Sequence, residues 1–141
     1  MATRKKRYKP KPFESSGVSN DTSANIYHSM LTSPAFMDMT KNQRILYVCM
    51  KDRYYGTRKP EADFPEIESF QGAEKFYFNL ALAANEYNLY KKTNRKSFYD
   101  DIKEIERHGF IKTVSSGRNT HMRSVYRLAD DWQTWKPENK S

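Results

Sequence analysis

The chain is 141 residues long, room for one domain with tails, and 14% of it is aromatic, a composition that fits a packed core rather than an unfolded chain. A single Cys excludes an intramolecular disulfide and the cysteine-rich zinc clusters, and no apolar run approaches the roughly 18 residues that span a bilayer. The net charge of +8 and an isoelectric point near 9.5 suit a polyanion partner.

The positive charge is densest in residues 1–25, where Arg4, Lys5, Lys6, Arg7, Lys9 and Lys11 face only Glu14 and Asp21. This stretch also carries Pro, Gly and Ser without any apolar period, so it is expected to be a disordered basic arm. Arg4, Lys5, Lys6 and Arg7 then serve either as contacts to DNA phosphates or the minor groove, or as part of a solubilising tail. It lacks the apolar core of a secretory signal, and a cytoplasmic location is expected.

The domain is expected over residues 26–135, with a polar tail at 136–141. Residues 26–39 are apolar in patches and broken by Pro34; they predict a strand or helical turn and then a loop that lays Leu31, Phe36 and Met39 on the core. Thr40 and Gln43 have the spacing of a capping box, in which each side chain satisfies the other's free amide. The helix that follows places Ile45, Val48 and Cys49 on one face, with Leu46 beside them, and closes at Tyr54, Tyr55 and Gly56. Cys49, between Val48 and Met50, reads as a buried thiol in a reducing compartment. Residues 56–72, with two Pro and four acidic residues, form a loop insertion longer than the usual connection.

Residues 74–78 alternate as a short strand, and 80–87 are rich in Leu and Ala, as a helix is. After Leu89 a turn carries Lys91 and Lys92. Asn94 is then a favoured N-cap for a helix running to about His108. Phe98, Ile102 and Ile105 make its apolar stripe, leaving Lys96, Tyr99, Asp100, Lys103 and Arg107 on the opposite half. Gly109 stands where a helix stop is expected. Residues 111–114 and 122–128 predict a hairpin whose tip holds Gly117 and Asn119, residues that tolerate positive φ. Lys112, Arg118, His121 and Arg123 lie on or near it. Trp132 and Trp135 are expected to cap the core.

The pattern Asn94-Arg95-Lys96-Ser97-Phe98, Ile102-Lys103-Glu104-Ile105-Glu106 and Gly109-Phe110-Ile111 resembles the recognition helix, closing turn and first wing strand of a winged helix-turn-helix DNA-binding domain. The resemblance covers residues 26–132. It is nearest to domains of bacterial plasmid replication initiators and of accessory proteins of conjugative or integrative elements, and the phrase MTKNQRILYVCMKDRYYG looks like the opening helix of one initiator family. The resemblance implies an α+β fold, a three-helix core with a C-terminal β-hairpin wing. It also implies duplex DNA as partner, a mobile genetic element as setting, and a role in replication initiation, conjugative transfer or transcription. A homodimer and contacts to replication or relaxosome proteins would belong to such a role. The turn before Asn94 is longer here than in many relatives.

In that mechanism a helix enters the major groove while the wing touches flanking backbone. The residues expected to contact DNA are Lys91, Lys92, Arg95, Lys96, Tyr99 and Lys103, with Arg118 and Arg123 on the wing. Asp100 and Asp101 would repel phosphates; either Asp100 reads a cytosine amine, or both carboxylates favour the helix N-terminus through its dipole. Enzymatic chemistry is not expected: His28, His108 and His121 have no metal-ligand spacing, there is no Gly-rich phosphate loop, and no cofactor is implied. The tyrosines read as packing rather than nucleophiles. The rival reading is a protein-interaction adaptor, with the acidic 56–72 insertion and the carboxylates of residues 100–106 as its partner surface.

Overall fold

The computed structural model describes residues 10–18, 21, 23–56, 75–115 and 125–137. Across these, five α-helices and a three-stranded antiparallel sheet form an α+β structure. The order is α1 (His28–Leu31), α2 (Pro34–Asp38), α3 (Lys41–Gly56), β1 (Lys75–Tyr77), α4 (Leu80–Asn85), α5 (Arg95–Arg107), β2 (Ile111–Ser115) and β3 (Val125–Leu128). A 3-10 helix follows at Asp131–Thr134. No described helix is long and apolar enough to cross a membrane.

The capping box forms at the start of α3. The Thr40 amide donates to Gln43 Oε1 at 3.0 Å, and the Gln43 amide donates to Thr40 Oγ1 at 3.2 Å. The face that α3 buries differs from the expected one. Gln43, Leu46, Tyr47, Met50 and Lys51 are buried, whereas Ile45 is 51% exposed and Val48 37%. The helix is apolar on more than one side, so periodicity admits two stripes; the stripe carrying Tyr47 wins because its ring packs 4.8 Å from that of Phe110. Cys49 is half-buried.

Before α3, of the strand or helical turn expected first, the helical turn forms, as α1, and a second short helix, α2, stands where a loop was expected. Ser33 caps α2 by accepting the Phe36 amide, with Pro34 at the first helical position, where a missing N–H costs nothing. Phe36 and Met39 reach the core as expected, but Leu31 is exposed and Met30 is buried in its place. Arg44 fastens α2 to α3, donating to the carbonyls of Met37 at 2.7 Å and Met39 at 3.0 Å while its guanidinium lies over Phe36.

The sheet order is β1-β3-β2, so the strand preceding α4 pairs with the far strand of the hairpin. Lys75, Phe76 and Tyr77 stand opposite Arg127, Tyr126 and Val125. Ile111, Lys112 and Thr113 stand opposite Leu128, Arg127 and Tyr126, and the register slips at Val114 before Ser115 meets Val125. Phe76, Tyr126 and Ile111 join Leu46, Met50, Phe78, Phe98, Ile105 and Phe110 in one apolar core. Trp132 and Trp135 lie against that core as expected. The Trp132 ring stacks on Phe110 at 5.7 Å, and Trp135 covers His108 at 4.7 Å.

Candidate nucleic-acid interface

The stripe of α5 is buried as its spacing predicts, with Phe98, Ile102 and Ile105 each no more than 4% exposed. Phe98 is gripped from several sides: its ring stacks on Phe78 at 6.2 Å and meets Tyr90 edge-on at 5.5 Å and Tyr99 at 5.1 Å. Such a helix cannot rotate about its axis without emptying the core, so its outer residues hold fixed positions. The stop is also as expected. Gly109 takes a φ of +87°, and the next residues turn back into β2.

Asn94 occupies the N-cap position, but its side chain makes no cap bond. Its φ of −89° and ψ of 49° lie away from the extended backbone typical of a capping residue, so the side chain does not reach the early amides. Arg95 and Lys96 are exposed in the opening turn, preceded by the exposed Lys91 and Lys92. Arg95 lies over the Tyr99 ring at 5.8 Å, and Lys96 pairs with Asp100 at 3.0 Å on the surface. Tyr99 is half-buried rather than fully outward, since it also packs on Phe98. Lys103 is exposed and pairs with no described residue.

The two aspartates have separate roles. Asp101 accepts from Gln43 Nε2 at 3.1 Å and from the Tyr90 hydroxyl, which ties the α3 cap, the turn before α5 and α5 itself to one carboxylate. Asp100 remains on the surface with Lys96. A second tie runs from the Tyr87 hydroxyl to Asp52 at 2.7 Å. Burial, then the hydrogen bond to its carboxylate, holds each phenol well above its ordinary value. The turn is therefore tied down at Tyr87 and Tyr90, just ahead of Lys91 and Lys92, and its Asn88 takes a φ of 52°. Nothing in the spacing of Gln43, Asp52, Tyr87, Tyr90 and Asp101 marks these links, because the partners are up to 58 residues apart.

At its other end α5 is anchored rather than presented. Arg107 reaches Glu104 at 2.9 Å and Asp38 at 3.8 Å. The buried His108 donates from Nδ1 to the Glu104 carbonyl at 2.6 Å, and its Nε2 lies 2.8 Å from Asp38. With four basic and four acidic residues, α5 has no net charge; its positive end is the N-terminal one, extended by Lys91 and Lys92.

Arg118, His121 and Arg123 of the expected wing, the basic group Arg4, Lys5, Lys6 and Arg7, and residues 57–72 of the expected insertion lie outside the described residues. Among the described residues no three side chains gather that could hold a metal ion. Comparison with protein-family models, with curated proteins and with solved structures finds no match.

Proposed function

We propose that this chain is a winged helix-turn-helix protein that binds duplex DNA, with α5 as the recognition helix. The observation that carries the reading is the cationic end formed by Lys91, Lys92, Arg95 and Lys96 on a helix whose other face is locked in the core. The order of α3, β1, α4, α5, β2 and β3, with β1 beside β3, agrees with that architecture. Lys91 and Lys92 contact phosphates, where each charge displaces counterions. Arg95 and Lys96 reach phosphate or guanine edges, and Lys103 follows on the outer face. Lys96 exchanges Asp100 for the DNA, a small loss because an exposed pair of this kind contributes less than about 1 kcal/mol. The setting we propose is a bacterial mobile genetic element, in replication initiation or conjugative transfer.

The test is Lys96→Ala with Lys103→Ala, assayed by fluorescence anisotropy on duplex DNA. Both side chains are exposed, so melting should hardly change while affinity falls at least several-fold. Unchanged affinity with intact melting would remove α5 from the interface. The neutral charge of α5 and the exposed Ile45 and Val48 favour one other reading, a protein-interaction adaptor, which predicts no duplex affinity at low salt.

A further inference from the structure

Away from α5, a cavity of about 860 Å3 opens where the segment before α1, the outer turns of α3, the ends of β2 and β3, and the 3-10 helix meet. None of Lys91, Lys92, Arg95, Lys96 or Lys103 lines it. Its size falls in the range of small-molecule sites. Tyr27, Tyr47, Tyr54 and Trp132 supply an aromatic wall.

Three cations face the same space: Lys51, Lys112 and Arg127. Lys51 is 7% exposed, and its ammonium donates to the Asn25 carbonyl and lies over the Tyr47 ring. No described carboxylate pairs with it or with Arg127; Lys112 alone has one, Asp131 at 3.4 Å. Arg127 also stands opposite Lys112 in the register of the sheet. Like charges directly opposite one another on adjacent strands are destabilising, and a buried ammonium without a counterion is costly. Burial lowers the Lys51 amine from its ordinary value, as expected for a cation lacking an anion. A row of this kind becomes favourable once an anion enters.

We propose that this cleft binds a nucleoside phosphate, its phosphate held by Arg127 and Lys51 and its ring packed against the aromatic wall. The guanidinium fork suits phosphate oxygens, and the tyrosine and tryptophan faces suit a planar base. The acidic rim counts against a bare anion but suits this ligand: Asp130 accepts from a ribose hydroxyl or base amine, while Asp131 stays with Lys112.

The experiment titrates the full-length protein with adenosine and guanosine monophosphates, the unphosphorylated nucleosides, and inorganic phosphate. Tryptophan fluorescence and equilibrium dialysis report binding, Trp132 being in the wall. The expected result is saturable quenching by at least one nucleotide and binding at least tenfold weaker for its nucleoside. Arg127→Gln should weaken the nucleotide at least tenfold, and Lys96→Ala with Lys103→Ala should leave it unchanged. If Arg127→Gln does not fold, Lys112→Ala, at a half-exposed position, takes its place: it leaves the Asp131 carboxylate unpaired on the rim, where it repels the phosphate, and a several-fold loss is expected. No saturable binding of either nucleotide, equal binding of phosphate alone, or loss on changing Lys96 and Lys103 would each overturn the proposal. Because duplex binding is read with the α5 variants, this result and the DNA result can fail separately.

Discussion

Gly109 links a left-handed backbone to a close approach. At its φ of +87° a Cβ would stand 2.5 Å from the Trp132 amide nitrogen and 2.7 Å from the Asp131 carbonyl carbon. Replacement by Ala therefore meets both backbone strain and the 3-10 helix. A loss on the order of 1–3 kcal/mol is expected in urea unfolding, and an unchanged midpoint would contradict the packing described for this turn. Cys49 gives a residue-scale test of burial. Burial, then the neighbouring Asp52 carboxylate, pushes its thiol up to about 11. The thiolate is the reactive form, so alkylation of the folded protein at pH 8 should be much slower than in urea. The shift also contributes stability that is complete below the unfolded value, about 8.5, and is lost as pH rises through the folded one.

At the scale of elements, the links from Tyr87 to Asp52 and from Tyr90 to Asp101 decide how firmly the turn before α5 is held. Asp101→Ala removes the acceptor for both Tyr90 and Gln43 and should cost about 1–3 kcal/mol, with Asp101→Asn costing less because one acceptor oxygen remains. Both phenols are raised in the folded state. Their contribution is complete below the unfolded value of about 10 and is lost as pH climbs above it. Melting temperature should therefore fall steeply above about pH 10, and less steeply in a Tyr87→Phe, Tyr90→Phe variant. Local pattern predicts the elements best where one interaction dominates, as in the Thr40 and Gln43 capping box or the Phe98, Ile102 and Ile105 stripe. It fails on α3, where an apolar Ile45 and Val48 compete with a buried Tyr47, and tertiary packing chooses. The side chain of Asn94 fails for a related reason, since cap preference assumes an extended residue and the fixed turn imposes another ψ. Of the candidate interface, the cations are legible as exposed charges; the carboxylates that hold the helix beneath them are not, because their partners come from α3 and the preceding turn.

On the scale of the whole molecule, α5 turns a locked apolar face inward and a cationic N-terminal end outward, while the aromatic cleft with Lys51 and Arg127 lies elsewhere on the domain. The proposed DNA contact uses Lys91, Lys92, Arg95, Lys96 and Lys103, and its strength should come chiefly from counterion release. The most direct measurement is the duplex-DNA dissociation constant of the purified full-length protein as a function of salt concentration. Contacts to about five phosphates predict a log-log slope of about −4 to −5; no binding at low salt, or binding indifferent to salt, would contradict the proposal that α5 carries a nucleic-acid interface.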